Sequence, residues 1–297
     1  MKIKSNNSPL VSVMMPVYNG GGTIARALHS LITQSYTNWN AVIVDDGSTD
    51  NTQSVVKSFN DSRISLISHS VNRGRAAARQ TALHHVTGDY VAYLDADDFY
   101  HPEKLERQVE FLERNYRADY CGCGLGSFKS GEGLIRVRAV FSFNDVRHRS
   151  GKPIFISPIS SMIRSSVAVE HKYKKELTYG EDMEYFQRAL DNRLLGCIPD
   201  VLYYYSEFDD VNASKLISSY FPILRNNVKK IKSSPCEAFV SLLSCCFRFA
   251  MVSATCAIFG HEKILLRRGR APSDEEIDEF IKVSKSLEVD NSFLSVS

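Results

Sequence analysis

A chain of 297 residues is long enough for one large α/β domain with an appendage. Its 36 Lys and Arg against 34 Asp and Glu leave a formal charge of +2, which excludes a strong overall field for nucleic acid or a membrane. The 7 cysteines include the close pairs Cys121/Cys123 and Cys245/Cys246, a poor spacing for zinc without partner histidines, better read as reduced, buried thiols of a cytosolic protein.

The N-terminal MKIKSNNSP has no apolar core, so no secretion signal is expected and the location is read as cytoplasmic. The first predicted strand, residues 10–16, is apolar on nearly both faces, as a strand inside a helix-covered sheet must be. Pro16 removes a ladder donor and ends it. Gly20, Gly21 and Gly22 turn the chain into a helix over 23–34, where Ile24, Ala27, Leu28 and Leu31 recur at helical spacing. A second strand, 40–45, ends in Asp45 and Asp46. Ser48, Thr49 and Asp50 then offer caps for a helix carrying Val55, Val56 and Phe59. A third strand spans 64–67, followed by an Ala-rich helix over 75–85. The fourth, 90–94, is aimed at Asp95, and Pro102 opens a helix with Leu105, Val109 and Leu112 on one face. Alternation of strand and helix predicts an α/β fold, a mainly parallel sheet with helices on both faces.

Four polar clusters punctuate this pattern: VDDGSTD (44–50), NRG (72–74), DADD (95–98) and ED (181–182). The first three follow an apolar run or open the helix after one, where open α/β sheets bind ligands. Carboxylates gathered at such positions gain little from packing. A metal, a sugar or a polyphosphate is the expected reason for them.

In order, VMMPVYN, VDDGSTD, NRGRAAARQ, YLDADD and GEDMEY resemble the motifs of the inverting family 2 glycosyltransferases with the GT-A fold, over residues 9–206. The resemblance implies a Rossmann-like nucleotide-sugar domain over 1–215 and a helical C-terminal region over 216–297. It implies a divalent metal, Mn²⁺ or Mg²⁺, bridging the two phosphates of a nucleotide-diphosphate sugar, and hard cations want carboxylate oxygens. By similarity Asp97 holds the metal and Asp95 the ribose hydroxyls, with help to the metal from Asp95 left open, while Asp98 braces the loop. Pro16, Val17 and Tyr18 line the base pocket and Asp46 contacts base or ribose. Arg73, Arg75 and Arg79 either face the diphosphate or form an ordinary solvated helix face. Asp182 is the general base that takes the acceptor hydroxyl's proton, against the plainer reading of acids favoured at a helix N-terminus.

The chain departs from the family pattern once. After the strand over 201–205 an Arg and a His are usual, but here Ser206, Glu207, Phe208, Asp209 and Asp210 follow. Glu207 or Asp209 is then the candidate for the missing ligand, unless the position is unused.

Beyond residue 215 the character changes. Residues 238–260 form a long apolar stretch with Arg248 at its middle, a cost of ~2.5–3.5 kcal/mol inside a membrane. Ser241, Ser244, Arg248 and Thr255 share one narrow stripe of that helix. The segment reads either as part of a small bundle on the catalytic domain or as a helix lying along the inner face of the cell membrane, with Lys263, Arg267, Arg268 and Arg270 suiting anionic lipid. Ser273–Glu276 reads as a capping box, followed by an acidic helix and a frayed end.

The expected activity is transfer of one sugar, from a UDP-sugar in the first instance, to a hydroxyl of a glycan or lipid-linked glycan in surface-polysaccharide synthesis. No nucleic-acid partner is expected. The alternatives are a sugar nucleotidyltransferase, disfavoured because PVYNGGG has no Arg or Lys before Arg26, and a non-catalytic glycan-binding or scaffold relative, disfavoured because all the acids are present.

Overall fold

The computed structural model describes residues 8–149, 157–177, 180–210, 213–218 and 235–288. The two chain ends and the side chains of Ser241, Ser244 and Arg248, which entered the expectations above, lie outside the described residues.

The elements are β1 Val11–Val17, α1 Ile24–Ile32, β2 Trp39–Asp45, α2 Thr52–Ser58, β3 Ile64–Ser68, α3 Arg75–His84, β4 Tyr90–Tyr93, β5 Phe99–Tyr100 and α4 Lys104–Arg114. There follow β6 Tyr120–Lys129, β7 Gly133–Arg138, β8 Phe143–Arg147, β9 Met162–Arg164, α5 Ser165–Ala168, α6 Glu181–Ala189, β10 Leu194–Tyr205, α7 Glu207–Asp210 and α8 Ala213–Ser218. Three C-terminal helices complete the chain: α9 Pro235–Phe259, α10 Glu262–Leu266 and α11 Asp274–Glu288.

One sheet runs in the order β3-β2-β1-β4-β9-β6-β10-β5, with β7 paired to β6 and β8 to β10. The pairs β2–β3, β1–β2, β1–β4 and β6–β10 are parallel, and the short strand β9 between β4 and β6 is antiparallel to both. The alternation of apolar side chains on β1 explains why helices cover both faces. Val11, Val13 and Met15 enter one core with Ile24, Leu28, Val55 and Leu105, while Met14 enters the other with Ala78, Leu83 and Phe186. The chain reverses its strand order between β1 and β4, so the crevice opens where β1 ends at Val17 and β4 ends before Asp95.

Two local expectations are corrected. The helix after VDDGSTD starts at Thr52 because Ser48 and Asp50 hold loops instead of capping it at once. Ser48 Oγ accepts from Asn19 N (2.8 Å), its own N donates to Asp45 (3.0 Å), and Asp50 accepts from Gly21 N (3.0 Å) and Thr52 N (3.1 Å). Of the cysteine pairs, Cys121, Cys123 and Cys245 are buried, but Cys246 is exposed, since consecutive helical residues point about 100° apart.

The last helix joins the sheet's own core. Phe280 of α11 packs against Phe99, Phe128 and Tyr204 at ring distances of 5.9, 5.7 and 5.3 Å. Val283 and Leu287 extend the same cluster. Arg270 pairs with Val137 of β7 as an antiparallel bridge, so the residues just before α11 are stitched to the hairpin edge.

Candidate active site

The crevice has two walls. The first is built from the loops after β1, β2 and β3. Asp46 N donates to Val17 O (2.8 Å), which ties the β2 loop to the end of β1. Asp46 itself is 2% exposed. Its Oδ1 accepts from Arg73 N (2.9 Å) and from His69 Nδ1 (2.7 Å), and its Oδ2 accepts from Gly74 N (2.8 Å). With Nδ1 donating, His69 Nε2 accepts from Thr81 Oγ1 (3.0 Å). Gly47, at φ +77°, lies so close to Val71 and Asn72 that a Cβ there would sit 2.6 Å from Val71's carbonyl carbon. The three loops are thus locked into one surface, from which Tyr18 projects half-exposed. Pro16 and Val17 lie behind it at the end of β1, Val17 buried. The side chain of Arg73 is exposed, while its backbone serves Asp46.

For Asp46, expected to contact base or ribose, the fold shows how the carboxylate is held. The carboxylate is a buried brace for the 72–74 loop, because both its oxygens accept hydrogen bonds from within the wall. Nothing in the spacing pointed to His69, a lone histidine one residue past β3, as the partner that orients it.

The second wall centres on Arg79. Its guanidinium is nearly fully buried on α3, and it meets acids from two distant elements: Asp95 after β4 (Nη2–Oδ1 3.2 Å), and Glu181 (Nη1–Oε1 3.0 Å) and Asp182 (Nη1–Oδ2 3.8 Å) at the start of α6. Burial works against the charge, but attraction to Asp95, Asp182 and Glu181 outweighs it and drives the arginine's pKa well up. Glu181 is buried too, and desolvation raises its pKa while Arg79 pulls it down. Asp182, in the first turn of α6, keeps about a third of its side chain open to solvent and accepts from Met183 N (2.8 Å). Arg75 stands further out, 3.8 Å from Glu181. Gly180 adopts φ +70°, a conformation that costs glycine little and lets the chain turn sharply into α6.

Between these walls lies the DADD turn. Asp98 is fully buried and accepts from Tyr203 Oη (2.6 Å) and Ser206 N (2.8 Å), so it braces the turn against β10 as expected and does not cap α4. Tyr203 Oη also accepts from Asp95 N (3.3 Å). Desolvation, with the charges of Asp97 and Asp95, raises the Asp98 pKa well above the carboxylate range. Arg26 of α1, lying over the rings of Phe99 (5.2 Å) and Phe128 (4.9 Å), donates to the backbone carbonyl of Asp97 (2.7 Å). Neither Arg26 nor Tyr203 carried a sequence signal, because each reaches the turn only through the tertiary fold.

The candidates for a third metal ligand are excluded by their positions. Glu207 is buried in ion pairs with Arg136, Arg138 (3.9 Å) and Arg268 (3.5 Å), and accepts from Ser127 Oγ (2.8 Å). Asp209 accepts from Ser130 N and Oγ. Among the described residues no three His, Cys, Asp or Glu side chains are grouped to hold a metal by themselves. The fit to a hard cation therefore rests on Asp95 and Asp97, a two-carboxylate set of the kind Mg²⁺ completes with substrate phosphates and water. The acid excess that lifts Asp98's pKa is the charge such a cation would offset.

A family model described as "Glycosyl transferase family 2" matches residues 12–171. A UDP-Glc:alpha-D-GlcNAc-diphosphoundecaprenol beta-1,3-glucosyltransferase of Escherichia coli, WfgD, is 42% identical over 106 residues, 36% of this chain and 42% of its own length. An uncharacterized glycosyltransferase of Haemophilus influenzae is 30% identical over 246 residues, 76% of this chain and 73% of its own. The match thus spans less than half the length of the first curated relatives. Among solved structures, S. aureus TarS 1-349 in complex with UDP-GlcNAc superposes with a TM-score of 0.62 at 19% identity, over 93% of this chain and 80% of that one. A mannosyltransferase of Pyrobaculum calidifontis in complex with GDP-Man and Mn²⁺ gives 0.59 at 18%, over 98% of this chain and 83% of that one. These two likenesses show the fold.

Proposed function

Because the chain belongs to glycosyl transferase family 2, we propose that it moves one sugar from a nucleotide-diphosphate donor, a UDP-sugar in the first instance, to a hydroxyl of a glycan or lipid-linked glycan, with inversion, at the inner face of the membrane where surface polysaccharide is built. The observation that carries this reading is the convergence on Arg79 of Asp95, from the donor side, with Glu181 and Asp182, some hundred residues later in the chain. An inverting transfer is one in-line displacement and needs a base on the face opposite the leaving group. Asp182, part-exposed beside the buried Arg79–Glu181 pair, suits that base: it accepts the proton of the attacking hydroxyl as the bond to the anomeric carbon forms and the nucleoside diphosphate departs.

On the donor side, Tyr18 offers a ring for a nucleotide base, with Pro16 and Val17 behind it. Arg73 offers a cation to the diphosphate, and Asp46 acts at one remove by fixing the loop that carries Arg73. Arg79 contributes geometry in place of a direct phosphate contact, because its donors are engaged by carboxylates. Asp95 and Asp97 would hold a divalent cation, which when bound neutralises charge on the departing diphosphate.

The test is a screen of UDP-, GDP- and TDP-sugars with Mn²⁺, read as release of nucleoside diphosphate. Release from one donor, stimulated by a glycan acceptor, is the expected outcome. Pyrophosphate release from a nucleoside triphosphate and a sugar 1-phosphate, supplied in a parallel assay, would make the chain a nucleotidyltransferase, and no nucleoside diphosphate from any donor would sink the transfer reading.

A further inference from the structure

We infer that the outward face of α9 is a docking surface for an anionic lipid bilayer, on which the protein lies without crossing. Leu243, Phe247, Met251 and Ile258 are 56, 68, 50 and 70% exposed. With Ala250 and Ala254 they fall within an arc of about 100° around the helix. The opposite side carries buried Cys245 and half-buried Cys256, which packs with Phe208 and Leu265. One side of α9 is therefore spoken for by the fold, and the other presents a continuous apolar stripe to solvent. Scattered exposed apolar residues are ordinary, but a row of large ones along one helical face marks an interaction surface.

Charge identifies the occupant. Residues 211–270 contain ten Lys or Arg and two acids, Glu237 and Glu262, a local balance of +8 in a chain whose whole balance is +2. The near-neutral total thus conceals a strongly basic segment centred on the apolar helix. Within it, Lys263 and Arg267 are exposed beside the half-exposed Leu266, just past the end of the stripe. Arg268 and Arg270 are exposed as well and are ion-paired with Glu207 and Glu276. An apolar face with cations beside it, on a helix lying in the interface plane, matches a surface rich in anionic headgroups. A protein partner would need to be strongly acidic as well as apolar. Among the described residues no helix is long and apolar enough to cross a membrane.

The inference extends the inner-face location proposed above. Vesicle binding is measured without donor or acceptor, so its failure leaves the transfer reading standing. The full chain should co-sediment with phosphatidylcholine vesicles containing phosphatidylglycerol at low salt, and less well at high salt. Phe247→Glu with Ile258→Glu should weaken binding by ~100-fold or more, since both side chains lose their place in the hydrocarbon boundary. Lys263→Gln with Arg267→Gln should weaken it by ~5-fold per charge, with diphosphate release from free donor unchanged. Both pairs are at the surface, and an unchanged circular dichroism spectrum confirms folding. No binding to the anionic vesicles at low salt would overturn the inference, as would equal binding to neutral ones. So would a wild-type dimer that the Glu substitutions dissociate, because the stripe would then belong to a second copy.

Discussion

Arg79 and Glu207 sit in two clusters that are near mirror images. At Arg79 one buried cation meets three carboxylates; at Glu207 one buried carboxylate meets three guanidiniums. Each carries a surplus of its outer charge, but only the first stands at the crevice. The acids around Arg79 come from the ends of a strand and a helix at the crevice, and Asp95 and Asp182 keep 24% and 31% of their side chains in solvent. The arginine cluster lies away from the crevice and is tied down by the segment before α11, although Arg138 and Arg268 keep 23% and 45% of their side chains in solvent. Gly269 lies so tightly on Arg136 that a Cβ there would meet its side chain at 3.1 Å, and Arg270 is bridged to Val137. Burial lowers the pKa of Arg136 to about 10 even with Glu207 beside it. The difference between the clusters is therefore one of place: the first stands at the strand ends, where open α/β sheets bind ligands. The second fastens one part of the chain to another, the segment before α11 to the sheet.

The sharpest way to separate the two clusters is to remove one acid from each. Asp182→Asn should leave UDP binding intact and lower transfer by ~10²–10⁴-fold, the usual contribution of a general base. Near-wild-type turnover would reduce Asp182 to a first-turn acid of α6. Glu207→Ala should act on stability instead, by ~3–5 kcal/mol, because it strands buried Arg136 without its counter-ion. Urea unfolding reads this, and a normal midpoint with impaired donor binding would mean that the arginine cluster is part of the site after all.

Asp97→Asn sharpens the open side of the comparison. It should abolish the Mn²⁺ dependence of UDP binding, as titrations with and without the metal would show, and unchanged dependence would remove Asp97 from the metal's ligands.

The smallest effect is a pH dependence. The folded-state pKa of Asp98 is raised, first by burial and then by Asp97 and Asp95. Its contribution to stability is therefore present below the ordinary carboxylate range and is lost as pH rises through the raised value. A cation on Asp95 and Asp97 offsets part of that penalty. The gain in Tm from added Mn²⁺ should accordingly grow from pH 5 to pH 8. A gain that shrinks over that range would break the assignment of this cluster as the cation-binding one.

Much of this was legible in the chain itself. The strands, the Ala-rich α3 and the amphipathic α4 followed from local periodicity, and DADD and ED pointed to the crevice because acids there have no packing role. The C-terminal region was less legible. Its apolar run suits burial and a membrane surface equally well, and only the exposure of Leu243, Phe247, Met251 and Ile258 separates the two faces. Glu207 was misjudged for a related reason: an acid following a strand looks the same in sequence whether solvent or Arg136 lies beyond it.

By itself the sequence determined the order of elements, the doubly covered sheet and the types of residue at its strand ends, because helix and strand periods and the cost of gathering charge are local properties. Only the tertiary structure decided which charges meet. Arg79 and Asp182, His69 and Asp46, and Arg26 and the Asp97 carbonyl are brought together by crossovers and sheet pairing. Electrostatic and hydrogen-bond energies depend on separation and desolvation in space, and neither quantity is written in the spacing of residues along the chain.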